Sequence, residues 1–452
     1  MAAARNLAAD SAIALAVCCG CWFASVAYLR STPNPPTGIA IGALLIAVPA
    51  ALLCALWVGR NAMRARAAAP AAAATTATPV SVAAPEALPA IAAGAVRLRG
   101  GDSAEALAEA LRSNSAPCEL DGELTDDAGF PVLSGRVEHA DPVSAREVMG
   151  AWLARHGRAE LCFSDEQWRA LAMGGAVVAE LAQHAMTHPL LPEYLGAAPD
   201  ERDAVGLPML HVAALLPGAW QVEQRLAAKQ WMLHLVEQHG WPAQRLQLAA
   251  DSAGGFSLPA ALRPAPGMTL LVACDSHVGD DTVRDWHDRG VLFTGRNPCG
   301  QIPGEGAAGL LLADAAQAAL LPSESLATLH GACEGRRSES ADPRRCELLA
   351  SLARQSLKDS GTESDCVAMI CSDADMRADR MGELMAMAHA VLPHLELDAM
   401  INVGATCGSA GAVGALAALA LAAQEARSDG GQVLCVSNTD AHYRCAVLVR
   451  AA

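Results

Sequence analysis

Several residue groups in this chain have types and spacings that can do chemistry. Cys407 stands in GATCGSAG, just ahead of a Gly/Ala-rich helical stretch. A thiol at a helix start has its pKa lowered by the dipole and attacks thioesters as thiolate. The competing reading is a buried cysteine acting as a small hydrophobe, and it is the preferred one. Ser252, in ADSAG, is a hydroxyl nucleophile candidate with no base beside it in sequence. CDSHVGDDTVRDWHD brings Asp275, His277, Asp280, Asp281, Asp285, His287 and Asp288 together. Carboxylates with imidazoles can hold a metal ion. Aspartates at a helix start followed by a solvated face give the same pattern, so no metal is expected there. Arg336, Arg337, Arg344 and Arg345 form a basic cluster that could dock an acidic partner. His442 is the histidine of the C-terminal loop, and Trp220 and Trp231 sit at helical spacing as core residues would. The CxxC pair, Cys18 with Cys21, lies inside an apolar run, and the cysteine total of 15 is odd. That excludes a zinc ribbon and a closed disulfide framework and reads as thiols in a reducing compartment.

The elements that position these groups begin at a membrane. Residues 11–29 and 38–58 are apolar runs without a charge. Each is long enough to cross a hydrocarbon core of ~30 Å at ~1.5 Å per residue. Trp22, Tyr28 and Trp57 lie toward their ends as interfacial anchors do. Residues 30–37, RSTPNPPT, make a tight link. Arg60, Arg64 and Arg66 place the C-terminal side in the cytoplasm, and an even number of spans places the N-terminus there too. Residues 1–66 are therefore expected to form a two-helix transmembrane hairpin, and 67–96 an Ala/Pro-rich linker.

The full chain of 452 residues is 52% hydrophobic and carries a formal charge of −16. That balance excludes disorder and argues against a nucleic-acid partner, whose phosphates need Lys and Arg. The body after the hairpin is acidic, so the hairpin rather than surface charge must hold it at anionic lipid. Within it, 104–111, 144–156 and 221–237 have helical periodicity, with Ser144 and Glu147 spaced as a capping box. TLLVA at 269–273 reads as a buried strand. Residues 433–436 and 445–449 read as a closing hairpin. The 14 apolar residues 410–423 suit a helix buried inside a domain rather than a span. No internal repeat stands out.

Three stretches together resemble the β-ketoacyl synthase branch of the thiolase-fold superfamily: IPGEGAAGLLLAD at 302–314, GATCGSAGAVGALAALAL at 404–421, and the terminal strand–loop–strand ending in LVR. LLVACDS at 270–276 and RGVLF at 289–293 resemble the prelude to the first. The resemblance covers roughly 240–452; residues 97–240 resemble nothing specific. It implies an α/β, thiolase-like layered fold (αβαβα), with 97–262 as its first half and 263–452 as its second. Gly304, Glu305, Gly306, Gly408 and Gly411 would be the structural motif, with Glu305 structural.

The resemblance also implies degenerate chemistry. Active synthases use a cysteine at a buried helix start, two catalytic histidines or a histidine and an asparagine, a lysine, and a Gly-rich oxyanion loop. Here the nucleophile falls on Asp251, the first histidine on Ser372 and the second on Ala405. No lysine follows Asp359, and the loop becomes NTDAHYR at 438–444. A carboxylate cannot do thiolate chemistry, so a pseudoenzyme is expected: a scaffold or an acyl/protein recognition module at the bacterial inner membrane. It is expected to need no cofactor, to pair as a homodimer, and to meet an acidic partner such as an acyl carrier protein. The alternatives are an active acyltransferase using Ser252 or Cys407, an acyl-chain sensor with an open apolar pocket, and an accessory component of type VI secretion, which the PGEGAA stretch also resembles.

Overall fold

The computed structural model describes residues 88–250, 256–263, 265–337 and 346–452, all within one compact unit, Ala77–Ala452. Residues 11–29 and 38–58 lie outside the described residues. Among the described residues no helix is long and apolar enough to cross a membrane.

Ten strands share one sheet: β1 (Ala90–Arg97), β4 (Leu210–Leu215), β5 (Leu246–Leu248), β6 (Met268–Ser276), β7 (Glu305–Ala313), β8 (Ala327–Arg336), β9 (Val367–Ser372), β10 (Met400–Asn402), β11 (Gln432–Ser437) and β12 (Tyr443–Ala451). A separate hairpin holds β2 (Glu119–Thr125) and β3 (Pro131–Ser134). The order in the sheet is β10-β9-β11-β12-β8-β1-β7-β6-β4-β5. It divides into two halves of five strands with the same internal order, third-second-fourth-fifth-first. In each half the inner pairs are parallel (β4 with β5 and β6; β9 with β10 and β11), and the last two pairings are antiparallel. The halves meet at only two residue pairs, Ala90↔Thr328 and Ile91↔Ala327. The molecule is thus a structural repeat that the sequence does not display.

The principal helices are α1 (Ala104–Ser113), α2 (Pro142–Arg155), α3 (Asp165–Ala185), α4 (Val222–Gln238), α5 (Leu258–Ala261), α6 (Asp280–Asp288), α7 (Glu347–Asp359), α8 (Ala378–Val391) and α9 (Val413–Asp429). Strand side chains alternate between layers, as a period of two requires. Leu270, Val272 and Cys274 face an outer core with α3 and α4, while Leu271 and Ala273 face an inner core with α9. In the second half, Leu434 and Val436 face α7 and α8, while Val433 and Cys435 face α9. α9 touches strands of both halves and is buried along nearly its whole length, as a helix apolar all round must be. This is the expected αβαβα layering, and both faces of each half of the ten-stranded sheet are covered. That explains why TLLVA reads as an unbroken apolar run.

Two boundaries differ from expectation. β1 begins at Ala90, inside the segment 67–96 read as linker, because AIAAGAVR is mostly Ala and Gly, with only Ile91 and Val96 β-branched and no aromatic residue to mark a strand. The first half runs through β7 to Ala313 and the second starts at Ala327, so a division at 262/263 cuts the first half between β5 and β6. Residues 97–240, which resemble nothing in sequence, supply one of the first half's five strands, β4, together with α1 to α4.

Candidate functional site

The two Gly-rich motifs meet backbone to backbone. Ser409 N–H donates to Ile302 O at 2.9 Å, and Pro303 bridges Ser409. Gly304 packs so closely on the turn Gly404–Cys407 that a Cβ would stand 1.8 Å from Cys407 O. Gly408 has φ +60°, and its Cβ position is 2.8 Å from Ile302 O. Gly306 lies against Leu98 and Gly411 against the Asp275 carboxylate. The structure therefore assembles all five motif residues at one place.

Glu305, at the head of β7, is wholly buried. It accepts from Val137 N–H at 2.7 Å, Ser276 Oγ at 2.9 Å and the Arg169 guanidinium at 2.5 and 2.8 Å. Arg169 also donates to Val137 O at 2.8 Å. The carboxylate thus ties α3, β6 and the 135–137 stretch together, and its acceptor sites are occupied. Hydrogen bonding to Glu305 raises the Arg169 pKa more than burial lowers it.

The acidic run 274–288 separates into two environments. Asp275 is buried at the end of β6; its pKa is raised by burial, against the lowering influence of His277. His277 Nδ1 lies 2.8 Å from Ser409 O, and its Nε2 is 3.7 Å from Asp275. Asp280, Asp281, Asp285 and Asp288 ride on α6, where Arg284 and Arg289 pair with Asp281 and Asp285 at 3.0 and 2.9 Å. No group of three or more His, Cys, Asp or Glu among the described residues could hold a metal ion.

The positions that the resemblance assigns to catalysis fall as follows. Asp251 and Ser252 lie outside the described residues. They belong to the β5–β6 connection, which the repeat places opposite the β10–β11 connection that carries α9. α9 has 17 residues; the described part of 249–267 is helical only over the four of α5. Ser372 is buried at the end of β9, and its Oγ accepts from Ala374 N–H at 3.0 Å. Ala405 lies in the turn Gly404–Cys407 and offers its carbonyl to the Cys118 thiol at 3.6 Å. Burial pushes that thiol up to about 11. Cys407 is 1% exposed, with its Sγ 3.4 Å from Gly408 O, and burial drives its pKa strongly upward. A thiol so placed is no thiolate.

A residue that sequence reasoning missed closes the terminal loop. The buried Asp373 carboxylate accepts from Ser437 Oγ at 2.6 Å, Asn438 N–H at 2.8 Å and Thr439 N–H at 3.2 Å. Thr439 Oγ1 donates back to Asp373 O. Arg377, held by Asp375 at 2.8 and 2.9 Å, donates to Thr439 O at 2.6 Å. Burial raises the Asp373 pKa against these bonds. The first two backbone donors of the loop that resembles an oxyanion loop are therefore already spent on a carboxylate. The signal for Asp373 was legible as acidic residues directly after an apolar strand, DAD following Ser372.

The proposed basic patch also changes character. Arg337 pairs with buried Glu383, which Arg444 clamps from the other side at 2.9 Å. Arg337 is thus part of an internal ion cluster, because a buried carboxylate needs cations nearby. Arg336 lies over the Tyr443 ring at 5.8 Å; Arg344 and Arg345 are outside the described residues. His442 faces solvent, and Trp220 and Trp231 are core.

Space is distributed unevenly. The cavity where Gly404, Gly408, Asp375 and Met376 converge measures about 10 Å³, room for about one water. A cavity of about 940 Å³ lies elsewhere, walled by α2, α3, α4 and the turn after β1.

Cysteine modification provides a direct check. Cys162, Cys299 and Cys366 are exposed and are expected to react first with a thiol reagent under native conditions. Cys407 is expected to react only on unfolding. Rapid native labelling mapped to Cys407 would restore it as a nucleophile.

No protein-family model and no curated protein matches this chain. Solved structures do. One, described as a type II PKS acyl-carrier protein in complex with its ketosynthase bound to the hexaketide, aligns with TM-score 0.55 and 11% identity over 81% of this chain and 100% of that chain. The ketosynthase from module 6 of the bacillaene synthase from Bacillus subtilis 168 aligns with TM-score 0.54 and 12% identity over 81% and 72%. The oxazolomycin ketosynthase domain OzmH KS7 of Streptomyces albus JA3453 gives 0.53 and 13% over 81% and 74%. The chain has a ketosynthase-like thiolase fold.

Proposed function

We propose that this protein is a membrane-anchored, ketosynthase-like pseudoenzyme that works as a scaffold and recognition module on the cytoplasmic face of the bacterial inner membrane. The observation that carries the reading is the Asp373 latch: the N–H groups of Asn438 and Thr439 are bound to a buried carboxylate at the end of β9. An oxyanion hole needs donors preorganised and free for the developing charge, and one misdirected donor costs about 3–4 kcal/mol of transition-state stabilisation. Ala405 and Ser372 bring no base. The apolar runs 11–29 and 38–58, with Arg60, Arg64 and Arg66, support the two-pass anchor with both termini cytoplasmic.

An acyl carrier protein is the partner that best fits the fold, since one similar structure is described as a ketosynthase with its acyl-carrier protein. Homodimerisation has two edge strands available, β5 and β10, each three residues long. A place beside type VI secretion rests on the PGEGAA stretch alone. The competing enzymatic reading is an acyltransferase using Ser252 or Cys407.

The test is intact mass of the full chain after incubation with a panel of acyl-CoA and acyl-carrier thioesters. No stoichiometric adduct is expected. An adduct mapped to one residue would overturn the pseudoenzyme reading and name the nucleophile.

A further inference from the structure

The large cavity is lined by none of the five motif residues and none of the Asp373 latch, although Leu98 and Val137, which touch Gly306 and Glu305, stand in its wall. Its floor is α3, where Ala172, Ala176 and Ala179 recur at helical spacing and are only partly buried. Residues 172 to 179 span about 10 Å of helix. Because these side chains stop at Cβ, the floor is recessed. Val148 from α2 and Trp231 and Leu235 from α4 wall it with apolar groups. Val148 is 53% exposed although it lines a concavity.

Polar groups converge at the turn after β1. Arg97, Arg99 and Arg136 all line the cavity. Their partners Glu180, Glu119 and Asp121, at 2.8, 2.7 and 2.8 Å, do not. The Arg97, Arg99 and Arg136 side chains are only 25%, 14% and 19% exposed, whereas those of Glu119 and of Glu123, a second partner of Arg136, are 62% and 80% exposed. Carboxylates that exposed are weakly held, so an incoming anion can displace Glu119 or Glu123 cheaply. Asp102, Glu138 and Asp141 also line the cavity, with His139, and all four are exposed. An apolar trough of about 940 Å³ with cations gathered at one end is the form of a small-molecule site.

We infer that this groove binds a single aliphatic chain carrying an anionic head, with the chain along Ala172–Ala176–Ala179 and the head at the three arginines. The inference rests on the recognition-module reading and supplies its ligand. None of the groove's lining residues is one to which the resemblance assigns catalysis.

The test uses the full chain in lipid nanodiscs with a diazirine-bearing dodecanoate, the crosslinks being mapped by peptide mass spectrometry so that probe dissolved in lipid is counted apart. Crosslinks are expected on α2, α3 and α4 around the groove, competed by dodecanoate and not by dodecanol. Ala176→Trp, which fills the floor from a partly exposed position, is expected to lower groove labelling about tenfold. Ala172→Phe should do the same, and an unchanged unfolding midpoint certifies each variant as folded. Arg99→Gln is expected to weaken competition by dodecanoate. Groove labelling indifferent to both filling variants, equal competition by dodecanol, or labels confined to residues 11–58 would overturn the inference. A covalent acyl adduct in the thioester experiment would instead overturn the pseudoenzyme reading and leave this one standing, so the two failures are separable.

Discussion

Glu383→Gln is expected to destabilise the folded domain by about 3–5 kcal/mol, the cost of removing one member of a buried ion cluster. Glu383 and Arg444 are both 0% exposed, and Arg337 joins them from the end of β8. Among the described residues the carboxylate is the only anion paired with Arg444. Glutamine keeps the shape and a hydrogen-bond acceptor but leaves the wholly buried Arg444 guanidinium without the charge it pairs with. The midpoint of urea unfolding, followed by tryptophan fluorescence, measures the loss. A midpoint within experimental error of the parent would mean that water reaches the cluster and the pairs are not desolvated. The same variant bears on the Asp373 latch, because Arg444 also donates to Asp440 O at 2.7 Å and so holds the loop that the latch closes.

Gly304→Ala is expected to be at least as damaging, with a loss above about 4 kcal/mol or no folded protein. The new methyl would need the space 1.8 Å from Cys407 O, and the obstacle is backbone rather than a side chain that can swing aside. The two motif segments would have to part, breaking the Ser409–Ile302 hydrogen bond and disturbing Glu305 beside it. Gly150→Ala is the control: it lies inside α2 with nothing within 4 Å of its Cβ position. There the change is expected to stabilise by about 0.5–1 kcal/mol through helix propensity. Equal effects at 304 and 150 would sink the close-approach argument.

How much of this was legible depended on what each residue has to do. The GEGA and GATCGSAG segments are readable because glycine is imposed there by backbone contact, which leaves a fixed pattern in the sequence. Glu305 is readable for the same reason: its acceptor sites are met by groups whose positions the fold fixes. Strand β1 was unreadable, since its Ala and Gly side chains are selected by the close packing of α9 (a Cβ on Gly94 would meet Ala420 at 3.0 Å) and imitate a linker. The repeat was unreadable because its two halves share hydrogen-bond topology, which many sequences satisfy. Arg337 was misread because a charge run shows sign and spacing but not which arginine turns inward. The groove was invisible because Ala172, Ala176 and Ala179 read as ordinary helix core until the space above them is seen.

The position of β1 sets a timetable for synthesis. Its partners are β7, at Glu305–Ala313, and β8, at Ala327–Arg336. From Arg97 to Ala313 the ribosome adds 216 residues, which at about 5–20 residues per second takes about 10–40 s. Throughout that interval the strand AIAAGAVR is finished while its neighbours are not yet made. Pairings this distant along the chain fold slowly, and a waiting apolar edge invites intermolecular association. Low β-propensity is a remedy suited to such a delay: alanine and glycine form weak cross-chain zippers. The blandness that conceals β1 from a reader of the sequence also protects the nascent chain during its wait.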